Sequence, residues 1–373
     1  MKERYIGVMS GTSVDAIDAV LCHINERGDV SFEDAFSLPI APPLAKRLHA
    51  AMTPERHSLP DYKQLEYDYS KAVVETINAL LQQRQLSPGD IAAVGCHGQT
   101  LWHQPPSHEH PAPFSLQLIN APYIAFHCGI DVISDFRQND IIAGGEGAPL
   151  VPAFHFAALT PHTGSNCAVL NLGGIANITW LGESEADVIG FDTGPANTLL
   201  DAFYRHRVND SGFDVDGKLA ASGRCITPLL SKLLADPYFS RTPPKSTGRE
   251  IFNLKWLNRY LQGDESVADV LRTLVELSAY SVMAALRFLP QPPERLIACG
   301  GGVYNPTLMQ ALQQQLGAVK LQSIADFQLD PQAIEGMAFA WLAWCYEHKK
   351  PGNLPAVTGA QRPVILGTKT YAS

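Results

Sequence analysis

Asp192 sits in Gly190-Phe-Asp-Thr-Gly-Pro-Ala-Asn197, where a buried-looking strand ends and the chain turns through Gly194 toward a helix predicted to start near Pro195. Open α/β sheets place their ligands at such strand ends, and a carboxylate there can take a proton from a hydroxyl or a water. The position also suits a helix N-cap, for which Thr193 is the better candidate. Two further segments could grip an anion. Tyr5-Ile-Gly-Val-Met-Ser-Gly-Thr-Ser-Val-Asp15 and Val169-Leu-Asn-Leu-Gly-Gly-Ile-Ala-Asn177 both read as strand, glycine-bearing tight turn, strand. Each alone suits an ordinary hairpin. As a pair they suggest two related halves whose tips offer backbone N–H groups to a chain of phosphates.

Familiar nucleotide fingerprints fail. Gly212-Phe-Asp-Val-Asp-Gly-Lys-Leu219 spaces its glycines like a P-loop, but Leu219 stands where a Mg²⁺-binding hydroxyl is needed and no strand precedes it. Cys299-Gly-Gly-Gly-Val-Tyr-Asn305 follows the strand-like run 295–298 and precedes a helix from Pro306, without the dinucleotide spacing. Its three glycines make either a tight turn or a surface stripped of side chains on which a base or ribose can lie.

These groups need elements to hold them. β-like runs at Arg4–Met9, Ile17–Ile24, Ile91–Cys96, Asn166–Leu172, Asn177–Leu181 and Val188–Asp192 alternate with helical spacing at Asp61–Gln85, from Ala196, and at Val267–Phe288, Pro306–Leu316 and Pro331–Tyr346. This alternation predicts an α/β protein. The chain of 373 residues is long enough for two or three domains, and the paired turns favour two. Their predicted bounds are 1–134, completed by the C-terminal tail, and 135–373.

Composition narrows the function. With 28 basic and 37 acidic residues, a formal charge of −9 and no basic cluster, a nucleic-acid partner is not expected. Charged residues make up 17% and no apolar run reaches membrane-spanning length, so no membrane association is expected either. Seven cysteines, odd in number and at least 32 residues apart, fit neither a zinc knuckle nor a local disulfide framework. Reduced thiols and the lack of a signal-like leader point to the cytoplasm. His103, His108 and His110 lie in a Pro-rich stretch at spacings too irregular for a metal site, which favours a solvated loop.

Taken in order, Ser10-Gly-Thr-Ser-Val-Asp15, Asn171-Leu-Gly-Gly174, Phe191-Asp-Thr-Gly-Pro195 and Gly300-Gly-Gly302 resemble the actin/hexokinase/Hsp70 superfamily of two-domain ATPases. More closely, the chain resembles the anhydro-N-acetylmuramic acid kinase family over nearly its whole length. Further matching segments are His97-Gly-Gln-Thr100, Asp135-Phe-Arg137, Ala143–Pro152, Pro244-Lys-Ser-Thr-Gly-Arg-Glu250 and Glu335-Gly-Met-Ala-Phe-Ala340. The first turn departs from the family pattern at Ala16, where glycine is usual, and Glu146 replaces a usual glutamine.

The resemblance implies an actin-like fold with mixed sheets flanked by helices and an active site in the cleft between domains. It implies ATP-dependent conversion of 1,6-anhydro-N-acetylmuramic acid, with water, to N-acetylmuramic acid 6-phosphate and ADP during recycling of cell-wall fragments, by an enzyme that forms a homodimer. Gly11, Thr12, Ser13, Val14, Asp15, Ala16, Ile17 and Asp18 would form the first phosphate loop, and Asn171, Gly173 and Gly174 the second. Gly300, Gly301 and Gly302 would line the adenosine pocket, and Asp192 falls at the family's catalytic base. Mg²⁺ is expected through the ATP phosphates, near Asp15 or Asp18. For the sugar, His97 and Gln99 could meet hydroxyls, Arg137 either the lactyl carboxylate or a structural ion pair, and Glu335 either the cleft or the start of its own helix. Two rivals stay open: another small-molecule kinase of the superfold, and an ATP-driven conformational or filament-forming protein.

Overall fold

The apolar runs Glu3–Met9 (β1) and Ala16–Ile24 (β2) pair antiparallel across the first turn, from Glu3 opposite Ile24 to Met9 opposite Asp18. The structure is a computed structural model that describes residues 3–11, 13–53, 58–107, 112–164, 166–209, 212–243, 245–249, 251–327 and 329–372. Thr12, His108, His110, Pro244 and Glu250 therefore lie outside the described residues.

Val30–Pro39 (β3) pairs antiparallel with β2, while Ala93–Cys96 (β4) lies parallel to β1. Gln99–Gln104 (β5) and Phe114–Leu118 (β6) form a separate hairpin, after which Val132–Ser134 (β7) joins β4 in parallel. In the second half Cys167–Leu172 (β8), Ile175–Trp180 (β9) and Ile189–Pro195 (β10) make an antiparallel meander. Arg295–Cys299 (β11) then lies parallel to β8, and Lys320–Ser323 (β12) parallel to β11. Thr368–Thr370 (β13) closes the first sheet beside β7.

The sheet orders are β13-β7-β4-β1-β2-β3 and β10-β9-β8-β11-β12. Both carry the sequence third, second, first, fourth, fifth, with the second strand alone reversed among the five. This is the strand order of the actin-like, ribonuclease H-like ATPases, and it places the two glycine turns at equivalent points, between the first and second strand of each sheet. The central strands β1 and β8 each hold four consecutive buried residues, as strands covered by helices on both faces must.

The chain divides into two compact units, residues 1–158 with 333–373, and residues 159–332. The boundary thus falls later than the expected 134/135. In the first unit Leu65, Tyr69, Val73 and Ile77 of the helix Leu59–Arg84 pack with Ile6, Val8 and Leu21 of the sheet. The helix Ile334–Glu347 covers the other face, and a Cβ on Gly7 or Gly95 would strike its backbone, so the glycines allow an unusually close approach. That seat, with the β13–β7 pairing, ties residues 333–373 to the first unit. The second unit has its own core of Leu170, Ile178 and Leu296 against Leu271, Leu274 and Val275 of the helix Val267–Ala285. Among the described residues no helix is long and apolar enough to cross a membrane.

Candidate active site

In the first unit the candidate groups gather at the carboxyl ends of β1 and β4. The Ser10 hydroxyl and the Tyr69 hydroxyl lie 2.7 Å apart and buried, and the Val14 amide donates to the Gly11 carbonyl at 3.1 Å, closing the turn. Val14 has φ 58°, the left-handed region that costs a β-branched residue about 1–3 kcal/mol. The turn therefore places a positive φ at Val14, and Ala16 simply opens β2. Val14 and Ile17 bury their side chains in the core, so a ligand meets them only through the main chain.

The His97 amide donates to the Val8 carbonyl at 3.0 Å, which fixes the turn after β4 beside the end of β1. His97 Nδ1 donates to the Gly98 carbonyl at 2.8 Å, leaving Nε2 to accept from Arg137 Nε at 3.0 Å. Arg137 Nη1 donates to the Gly147 carbonyl at 2.8 Å. Burial pushes the imidazole well below its ordinary pKa, and the Arg137 charge adds to that push, so the histidine is the neutral acceptor that the bond requires. Gln99 is fully buried; its Nε2 donates to the Gly11 carbonyl at 3.2 Å, bracing the first turn, and its buried Oε1 has no partner among the described residues.

Arg137 loses hydration and its pKa falls to about 10, opposed by the charges of Glu335 and Asp140. Glu335, in the first turn of its helix, is reached by solvent yet crowded by protein atoms. Lost hydration, then the Asp18 charge, raises its pKa, and Arg137 opposes both. Asp18 is likewise raised by burial. Arg137 is thus partnered by a histidine and a carbonyl, with the Glu335 charge nearby, in place of a simple structural ion pair.

The 143–147 loop is tied down by Asp140, whose carboxylate accepts from the Gly147 amide at 2.8 Å, Asn353 Nδ2 at 2.6 Å and the Thr358 hydroxyl at 2.7 Å. Glu146 accepts from the Ser107 hydroxyl at 2.5 Å. His103 Nδ1 and the Ser115 hydroxyl lie 2.9 Å apart across the β5–β6 hairpin.

In the second unit the corresponding ends are those of β8 and β11. The carbonyls of Gly173 and Gly174 accept the amides of Ala196, Asn197 and Thr198, and Asn197 Nδ2 donates to the Leu172 and Gly173 carbonyls at 3.1 and 2.9 Å. The turn is thereby fastened to the helix Asn197–Arg207. Gly300 has φ 81°, and a Cβ there would overlap Asn171 Oδ1 and the Leu172 carbonyl. Only glycine fits where these two turns meet. Gly302 is similarly pressed against Leu172, whereas Gly301 faces open space. Asn305 caps the helix Pro306–Leu316 that follows.

β10 runs on past Asp192 to Pro195, because Gly194 and Pro195 still pair with Ala176 and Ile175 across a bulge. The helix consequently begins at Asn197, and its N-cap, Ala196, has no side-chain cap. Thr193 is not the cap read from the sequence; its hydroxyl donates to the Ala176 carbonyl at 3.2 Å. Nor does Asp192 cap the helix: its Oδ2 accepts from the Thr247 amide at 2.9 Å, and its carbonyl accepts the Tyr238 hydroxyl at 2.7 Å.

Several neighbours escaped the sequence reading. Lys245 is 5% exposed, with Nζ 4.8 Å from the Tyr238 ring centre and 5.1 Å from that of Phe288. Burial lowers its pKa, as do Arg287 and Arg241, while Asp192 opposes them. Arg249 Nη2 would lie 3.9 Å from a Cβ on Gly174, so a guanidinium flanks the second turn. Asn197, Thr247 and Arg249 all lie in segments already singled out, but only the fold shows that they share the surroundings of Asp192 and Gly174. Among the described residues no group of three or more His, Cys, Asp or Glu could by itself hold a metal. Mg²⁺ bound to phosphates needs only one or two carboxylates; the first glycine segment carries Asp15 in the turn and Asp18 on β2.

The sequence profile of the anhydro-N-acetylmuramic acid kinases matches residues 3–372. An anhydro-N-acetylmuramic acid kinase of Idiomarina loihiensis is 47% identical over 370 residues, covering 99% of both chains. One of Neisseria meningitidis serogroup C is 42% identical over the same share of each. Among solved structures, component A of the (R)-2-hydroxyglutaryl-CoA dehydratase of Acidaminococcus fermentans aligns with a TM-score of 0.49 at 10% identity, over 91% of this chain and 96% of that one.

Proposed function

The chain belongs to the anhydro-N-acetylmuramic acid kinase family, a family of ATP-using sugar kinases, and from that premise we propose the reaction it carries out. It converts 1,6-anhydro-N-acetylmuramic acid, ATP and water to N-acetylmuramic acid 6-phosphate and ADP. It does so in the cytoplasm, during recycling of cell-wall fragments, as a homodimer.

The chemistry sets the requirements. A 1,6-anhydro bridge has no free 6-hydroxyl, so the C1–O6 bond must break before or as O6 reaches the γ-phosphorus. Water attacking C1 must lose a proton, and in-line phosphoryl transfer needs positioning and charge neutralisation more than covalent chemistry. Asp192 takes the proton from water. The observation that carries this reading is the Asp192 carboxylate, held by the Thr247 amide at 2.9 Å on β10, which pairs with the strand that leaves the second glycine turn. Such a bond fixes one carboxylate oxygen in place.

The turns Gly11–Asp18 and Asn171–Gly174 hold phosphates through their backbones, and Gly300–Gly302 supports the adenosine. Arg249 adds positive charge beside Gly174. Arg137, oriented by His97 and Gly147, receives the lactyl carboxylate in a charge-assisted contact, and Glu335 meets a sugar hydroxyl. Asp15 or Asp18 would hold Mg²⁺, which would supply further neutralisation of charge.

ADP release measured with and without the anhydro sugar tests the proposal. Release should require the anhydro sugar and match it mole for mole. Release without sugar would indicate an ATP-driven conformational protein, and equal turnover of a simple hexose another sugar kinase.

A further inference from the structure

Thr247 meets the Asp192 carboxylate through its backbone, yet its side chain does nothing visible. Thr247 Oγ1 is buried and has no hydrogen-bond partner among the described residues. Leaving a buried hydroxyl unpaired costs about 1–3 kcal/mol, and valine would fill the same shape without that cost. Packing therefore gives no reason for a hydroxyl at this place, whereas a ligand or water bound there would. The neighbouring chain is well anchored: the Asp192 amide donates to the Lys245 carbonyl at 3.2 Å, and Lys245 itself is buried among aromatic rings. The hydroxyl thus belongs to the residue whose own amide binds the Asp192 carboxylate.

Resting on the reading of Asp192 as the base, the geometry points to Thr247 Oγ1 as the second anchor of the attacking water. The water donates one hydrogen to Asp192 and the other to Thr247 Oγ1, which turns an oxygen lone pair toward C1. As the new O–C1 bond forms, the first hydrogen passes to Asp192 as a proton. The C1–O6 bond breaks, and O6 takes the γ-phosphoryl group from ATP as ADP leaves. Threonine stays neutral throughout; its part is to fix direction, where an ångström of misplacement costs about a hundredfold in rate.

Steady-state kinetics of T247V, T247S and D192N, all checked for folding by thermal denaturation and for nucleotide affinity by calorimetry, test this. T247V should lose between about 10-fold and 100-fold in kcat, with KM for the anhydro sugar and nucleotide affinity within about twofold of the parent, and T247S should recover most of the loss. A purely structural role would instead lower thermal stability or move KM. T247V turning over at the parent rate while D192N is inactive would overturn the water assignment alone, as would a T247S as slow as T247V. A D192N enzyme that keeps its turnover would overturn the reading of Asp192, and the water assignment with it.

Discussion

The fourth strand of each sheet ends differently. After β4 the chain continues as His97-Gly98-Gln99, and after β11 as Gly300-Gly301-Gly302. Both strands lie parallel to the central strand, and both turns put a glycine in the left-handed region, at φ 78° for Gly98 and 81° for Gly300. There the likeness stops. The first turn carries two buried polar side chains that brace Arg137 and the Gly11 carbonyl. The second carries no side chain, and of its three glycines only Gly301 faces open space, while Gly300 and Gly302 pack against Asn171 and Leu172. One topological position, used twice, thus orients a charged group in one unit and lets the turn pack closely against the end of β8 in the other. Fold repetition sets the place of a site, and the residues at the turn set its chemistry.

This contrast can be broken by substitution. The largest effect belongs to the second unit: Asp192→Asn should lower turnover by at least about 10³-fold, with sugar and ATP binding by calorimetry within a few-fold of the parent. Next, Gly300→Ala should weaken ATP binding by about 10-fold or more and destabilise the protein by about 1–3 kcal/mol, because its Cβ meets Asn171 and its φ is unfavourable. Gly301→Ala, pointing into open space, should leave stability within about 0.5 kcal/mol and so shows that the position of the glycine matters more than glycine content.

In the first unit, Arg137→Lys should raise KM for the sugar by about 10-fold while leaving KM for ATP unchanged, since lysine cannot bond His97 and Gly147 and present a two-point face as well. The smallest effect is a pH trend. His97 and His155, both buried in the first unit, titrate below the ordinary histidine range, His155 near 3. Each therefore stabilises the folded state fully above the unfolded pKa of about 6.5 and loses that contribution as pH falls toward the folded value, by up to about 1.4 kcal/mol per pH unit. Urea midpoints should decline from pH 7 to pH 4, and His155→Leu should flatten the decline.

Much of this was legible in the residues. The two glycine turns were readable because tight strand–turn–strand segments leave glycine and hydroxyl residues between apolar runs, and their equivalence survives in the shared strand order. The edge strand β3 was not readable: its Val-Ser-Phe-Glu-Asp-Ala-Phe-Ser-Leu-Pro run is half-buried throughout most of its length and lacks a clean alternation. The end of β10 misled for another reason. Gly194-Pro195 reads as a break, but pairing across a bulge carries the strand through it. The Thr193 cap failed with that boundary. Lys245 and Thr247 sit some fifty residues from Asp192 in sequence, and hydrogen bonds at that separation leave no local pattern.

Ring opening by water and phosphoryl transfer to O6 should occur in one turnover. Running the reaction in ¹⁸O-labelled water, with rapid quenching and fragment mass spectrometry of the sugar phosphate, tests it directly. The sugar phosphate should carry one labelled oxygen at C1 and none in the phosphoryl group. Label in the phosphoryl group, or a phosphorylated sugar with no label at C1, would contradict it.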